Sequence, residues 1–301
     1  MTSTRTKVLQ MSIGSKLTIS LAVSAGFLIL LNHSIPQADS DDAAKPTGLR
    51  SQRGAGQDDS SHPVLPVADS LPNRMDAFTR MRASLATAKL RARELTSYTA
   101  ILEMQEEVNG TLREMDSIQF KLRQQPFSVY MRWTATEQEA LFVRGRNEDR
   151  LLAKPANGLA SLKRLWRLDP DSRIAKQACR YPITESGIEN LVNRVHEFYA
   201  ARDDWSSAVN CSVSKLNEAD HVVTEYCLQF RDKSVSPEYL KSHLSFDEAT
   251  GLLVVVENFG WTEDESSRVV EHYAYRKIDQ AAGLSDSDFD EKNSEYEFVA
   301  R

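Results

Sequence analysis

The stretch FKLRQQPFSVYMRW, Phe120 to Trp133, constrains this chain more than any other. Ile118, Phe120 and Leu122 alternate with Gln119, Lys121 and Arg123. Beyond Pro126, Phe127, Val129, Met131 and Trp133 alternate with Ser128, Tyr130 and Arg132. A period of two sends alternate side chains to opposite faces of a sheet, so one face is apolar and the other polar. Proline cannot donate to a strand ladder, and Pro126 therefore marks a break between two strands. Upstream, Tyr98, Ala100, Leu102 and Met104 alternate with Thr99, Glu103 and Gln105. Asn109-Gly110 then supplies a two-residue hairpin, because both residues tolerate positive φ. Downstream, EALFVRG and DRLLAK predict another hairpin around Arg146–Asp149. LASLKRLWRL continues the sheet, with Leu162, Trp166 and Leu168 facing one way.

Two segments break this period. From Arg74 to Leu95, apolar residues recur every three or four positions, as in an amphipathic helix with a basic opposite face. In PITESGIENLVNRVHEFYAARDD, Ile188, Leu191, Val192, Val195, Phe198 and Tyr199 share one helical face. Ser186 and Glu189 have the spacing of a capping box. Strands follow at about 208–215, 221–230, 239–246, 252–259 and 268–278. Helix, meander, helix, meander predicts an α+β domain over 74–301. It is a single curved antiparallel sheet, an incomplete barrel, with helices covering its concave face.

Before the domain, Arg5, Lys7 and Lys16 precede the uncharged run LTISLAVSAGFLILL. That is the pattern of a secretory signal peptide or uncleaved signal anchor, assigned to residues 1–34. No cysteine follows closely, which excludes a lipid-modified N-terminus. Residues 35–73 are rich in Asp, Ser, Pro, Ala and Gly and read as a disordered linker. The domain is thus expected to be exported, either periplasmic or tethered to the inner membrane. The net charge of -6 argues against nucleic acid as a partner. Arg74, Arg80, Arg82, Lys89, Arg91 and Arg93 nevertheless crowd the first helix, and six acids crowd 286–297. Such blocks are ordinarily solvated faces; a basic helix beside a membrane tether also suits anionic lipid.

Chemistry-bearing motifs are absent: no G-x-S-x-G, H-E-x-x-H, C-x-x-C, phosphate loop or dinucleotide fingerprint. No catalytic residue, cofactor or metal site is assigned, and His196 and His272 read as structural. Asp286, Asp288, Asp290 and Glu297 have calcium-loop spacing, but Glu291 stands where that loop needs glycine. The segment reads instead as one that docks through Phe289, Tyr296 and Phe298. Glu103, Glu106 and Glu107 read as solvated charge near a hairpin end. Three cysteines cannot build a disulfide scaffold. A turn at Asn217–Asp220 would, however, set Cys211 opposite Cys227, and predicts a bridge between them.

YTAILEMQEEVNG, KLRQQPFSVYMRW, YPITESGIENLV and EHYAYRKIDQAAGLSDSDFDEKNSEYEF occur in this order. Together they resemble the exported bacterial domain of unknown function 1571, from about Phe78 to Phe298. That family in turn resembles the LolA/LolB superfamily of lipoprotein carriers, which includes the sensor domain of MucB/RseB. The resemblance implies a LolA-like cavity between the concave face and its two helices, holding lipid or a lipoprotein acyl chain. On the alternation, the ligand-facing residues are Leu102, Met104, Phe120, Leu122, Phe127, Val129, Met131 and Trp133. The alternative is a membrane-tethered interaction or sensor module, with a filled core and an envelope protein partner.

Overall fold

The computed structural model describes residues 71–156, 165–177, 179–200, 205, 207–218, 221–262 and 267–298. The N-terminal apolar run, residues 35–70 of the linker and Leu162 lie outside these residues, and 71–73 belong to the first helix.

Helix α1 (Leu71–Glu94) leads into β1 (Ser97–Val108), β2 (Thr111–Leu112), β3 (Asp116–Arg123), β4 (Ser128–Trp133), β5 (Glu139–Val143), β6 (Leu151–Lys154) and β7 (Trp166–Leu168). The short α2 (Arg173–Lys176) and α3 (Ile188–Ala200) separate that meander from a second one. It comprises β8 (Val209–Glu218), β9 (His221–Phe230), β10 (Tyr239–Asp247), β11 (Leu253–Trp261) and β12 (Ser267–Asp279). The strands form one open antiparallel sheet in the order β7-β6-β5-β4-β3-β1-β12-β11-β10-β9-β8, with β2 paired to β1. β12 returns to pair with β1, so the two meanders join at the centre of the sheet. Asn109 and Gly110 have φ of 53° and 77°, as the hairpin requires.

Register explains the inner face. Tyr98, Leu122, Val129 and Phe142 stand side by side across β1, β3, β4 and β5, and Ala100, Phe120, Met131 and Ala140 form the next row. Ala77, Phe78, Met81, Leu85, Ala88 and Ala92 of α1 pack into the same core as Ile188, Leu191, Val192 and Val195 of α3. A helical period of 3.6 and a strand period of two thus meet in one apolar layer.

The outer face of the first meander departs from the alternation. Tyr130, Leu141, Val143 and Leu152 are buried there beneath Phe289, Tyr296 and Phe298. Tyr130 stacks on Tyr296 with ring centroids 3.9 Å apart. The acidic segment is pinned to strand cations, Lys121 to Asp288 (2.9 Å) and Arg123 to Asp286 (2.7 Å). Its acids therefore serve as docking charges; among the described residues no His, Cys, Asp or Glu cluster is arranged to hold a metal.

Two sequence expectations fail here. β8 and β9 pair Glu218 with His221, which puts Cys211 opposite Leu228 and Cys227 opposite Ser212. That is one residue away from the register a bridge needs, and a one-residue slip reverses the face. Cys211 is buried on the inner face, Cys227 lies on the outer one, and both thiols are free. The capping box also fails. Ile188 N–H donates to Tyr98 Oη (2.9 Å) and Gly187 N–H to Tyr275 Oη (3.2 Å), so phenols of the sheet satisfy the start of α3.

Candidate functional site

A cleft of about 110 Å³ opens between the inner face and the chain running from α2 into α3. The sheet contributes Leu102, Met104, Met131 and Trp133, together with Ala140 and Leu151. Ala175, Ile183, Gly187 and Leu191 close it from above. None of the described α1 side chains lines it, so the expectation of a roof made from both helices is corrected. α1 packs against α3 and β8 instead.

The eight predicted ligand-facing residues thus divide. Leu102, Met104, Met131 and Trp133 reach the cleft. Phe120, Leu122 and Val129 are at most 1% exposed and belong to the packed layer beneath it. Phe127 precedes β4 instead of lying within it, and its ring packs 6.2 Å from that of Phe142. Alternation reports which face a side chain takes; it does not report whether a helix already covers it.

The cleft abuts a second chamber of about 210 Å³ under α3, and Tyr181, Leu191, Arg194 and Tyr273 line both. The second chamber is the more polar of the two, and a row of polar side chains runs from the cleft into it. Glu106, Glu271, Asn258 and Ser242 stand in register across β1, β12, β11 and β10. Each is buried. Glu271 accepts from Tyr239 Oη (2.9 Å), Asn258 Nδ2 (2.6 Å) and Tyr181 Oη (3.1 Å), and pairs with Arg180 Nε (3.1 Å). Glu106 accepts from Tyr273 Oη and from the backbone N–H of Arg180 (2.9 Å). Arg194 donates to the Glu185 carbonyl (2.9 Å) and lies over the Tyr181 ring at 4.0 Å.

Burial sets the protonation of this floor. It pushes Tyr181 up to about 12 and Tyr239 and Tyr273 higher still, so these hydroxyls act as donors. Cys179, in the cleft wall, is pushed up to about 12 by burial and the Glu106 charge, and makes a poor nucleophile. Burial also holds the Glu106 carboxyl above its ordinary range, against the hydrogen bonds from Tyr273 and Arg180 that favour the ionised form. A carboxyl raised on folding binds more protons in the native state. Its stabilising contribution is therefore full below the unfolded value and is lost as pH rises through the folded one. Glu106→Gln should flatten the fall in stability as pH rises above the ordinary carboxylate range, which urea titrations at a series of pH values would measure. An unchanged slope would place the proton elsewhere.

Sequence reasoning read Glu106 as solvated charge near a hairpin end; it is buried instead, and this polar row was missed. Glu106 continues the Leu102–Met104 face, and that parity was the available signal; its partners, Glu271 and Arg180, are distant in the chain. His196 bonds Lys89 Nζ (3.4 Å) and His272 pairs with Glu257 (3.4 Å), both away from the cleft lining.

An open antiparallel sheet thus carries a mixed apolar and polar chamber under one helix. Residues 95–298 match the model of the family described as "Protein of unknown function (DUF1571)", and the chain belongs to that family. Among curated proteins none matches the sequence. Solved structures similar to the chain include the Mycobacterium tuberculosis lipoprotein LppX, at 12% identity and TM-score 0.38, covering 69% of this chain and 99% of that one. LprF from Mycobacterium bovis is 11% identical with TM-score 0.38, covering 69% and 95%. A LolA superfamily protein from Nitrosomonas europaea is 10% identical with TM-score 0.21, covering 69% and 96%.

Proposed function

We propose that the chain is a non-enzymatic cell-envelope protein that binds the acyl part of a lipid or lipoprotein in this cleft. The observation that carries the reading is the cleft itself: an apolar wall of Leu102, Met104, Met131 and Trp133 passing into a hydrogen-bonded polar floor. Flexible Met and flat Trp side chains suit adaptable contact with a chain of methylenes. A dry apolar cavity of ~150 Å³ holds a ring-sized ligand. The chambers are on that scale, so a long acyl chain would enter by one end and leave the rest outside. The basic start and apolar run Leu17–Leu31 support export.

The complete packing of Phe120, Leu122 and Val129 favours a second reading, an envelope interaction module with a filled core. Mass spectrometry of lipids carried by the purified full chain separates the two. Copurifying acyl species are expected. Ala140→Phe should reduce them about tenfold or more by filling the cleft, with an overpacking cost of ~1–3 kcal/mol. Met131→Asp should do the same by placing an unpaired carboxylate against the chain. Wild-type protein free of lipid, with Trp133 fluorescence indifferent to fatty acids and lipopeptides, would leave the filled-core module standing.

A further inference from the structure

We propose that the outward face of α1 docks on a bilayer surface carrying anionic headgroups, whatever the cleft holds. The inner side of α1 is spent on the core: Ala77, Phe78, Met81, Leu85, Ala88 and Ala92 are all buried. The remaining side has an order that simple solvation does not require. At 100° per residue, Ala83, Ala86 and Leu90 form a strip along its middle, shared with the exposed Thr79 and, at its C-terminal end, Glu94. Arg82, Lys89 and Arg93 border the strip on one flank, and Arg80 and Arg91 on the other. Leu90 is 62% exposed, the most exposed large apolar side chain among the described residues.

Charge singles out the same face. Within 77–95 the only acid is Glu94, which pairs with Arg91 at 3.1 Å, in a chain whose net charge is -6. From α3, the half-buried His196 accepts from Lys89 Nζ (3.4 Å); burial and the cations beside it hold its ring below its ordinary value, so it adds no charge to this face, and Glu197 is its acidic neighbour. A short apolar strip between two rows of cations is what a helix lying in a headgroup layer needs. The strip enters the boundary, and the long basic side chains reach outward to phosphates. An apolar protein partner would not use five cations, and nucleic acid has no use for the strip.

The test compares the full chain on vesicles of phosphatidylcholine alone and of phosphatidylcholine mixed with phosphatidylglycerol. Residues 1–70 can contribute to binding both kinds, so variants isolate α1. Each cation near such a surface is worth roughly a fivefold preference. Arg82→Gln/Lys89→Gln/Arg93→Gln should therefore reduce the preference for anionic vesicles by about tenfold or more. A control triple of equal charge at exposed positions elsewhere, Lys233→Gln/Lys277→Gln/Lys292→Gln, should leave it nearly unchanged. Leu90→Asp should weaken binding while leaving the thermal midpoint intact, since the side chain touches solvent. Raised salt should weaken the wild type more than the α1 triple. Equal losses in the two triples would assign the effect to bulk charge and overturn the proposal. So would a wild-type chain indifferent to phosphatidylglycerol. Retention on an immobilised acidic polypeptide but not on vesicles would overturn it in favour of a protein partner.

Discussion

Gly187→Ala is expected to destabilise the domain by about 2–5 kcal/mol, one of the largest effects of any single-methyl change in it. Gly187 has φ of +100°, which L side chains rarely adopt, and its backbone starts α3 directly over the sheet. A Cβ there would stand 2.4 Å from Leu122 Cδ1 and 3.2 Å from Tyr98 Oη. Leu122 is fully buried and cannot retreat, while Tyr98 is held by its bond to Ile188 N–H. The methyl must therefore lift the start of α3, break the two phenol caps and alter the cleft roof together. At ~2–4 °C per kcal/mol for a domain of this size, the thermal midpoint should fall by roughly 5–20 °C. Gly251→Ala is the control. Its φ is +72°, yet an added Cβ meets Thr87 and Arg91 at 3.5 and 3.6 Å, which is ordinary contact. It should cost about 1–2 kcal/mol, the backbone penalty alone. Equal losses at the two positions would show that close approach at Gly187 contributes nothing.

The strands were legible because their signal is local. Alternation in 118–133, the Asn109-Gly110 turn and the later runs place the observed strands within two or three residues. Amphipathic spacing likewise finds α1 and α3. What the sequence concealed depends on register or on distant partners. The Cys211–Cys227 expectation required knowing a pairing to one residue, and the turn chemistry near 217–221 leaves that choice open. The capping of α3 looked local, as Ser186 and Glu189, but the groups that serve it come from Tyr98 and Tyr275, about ninety residues away on either side. Tyr130 was read as polar because it alternates with apolar residues; the segment around Tyr296 turns its outward face into a second core. The candidate site was half legible for the same reason. Parity identified the face, and only the helix path decided which of its residues border space.

The last of the large effects lies in the polar floor. Glu271→Leu is expected to cost roughly 3–5 kcal/mol, because it removes the acceptor shared by Tyr181, Tyr239, Asn258 and Arg180 and leaves those donors without water. Arg180→Leu should also destabilise, since it leaves the carboxylate of Glu271, with its side chain 4% exposed, short of its cation. The double variant should lose less than the sum of the singles. An ion pair replaced on both sides by apolar groups no longer carries the penalty of a lone buried charge, and coupling of roughly 1–3 kcal/mol is expected. Recovery should be incomplete, because the phenols of Tyr181 and Tyr239 still need an acceptor. Urea unfolding of the four proteins gives the cycle directly. If the two losses simply add, Arg180 and Glu271 are each solvated independently, and water already fills the chamber beneath α3. If they couple, the floor is a dry, mutually satisfied network, and a polar ligand group entering from the cleft must match its hydrogen bonds or be excluded.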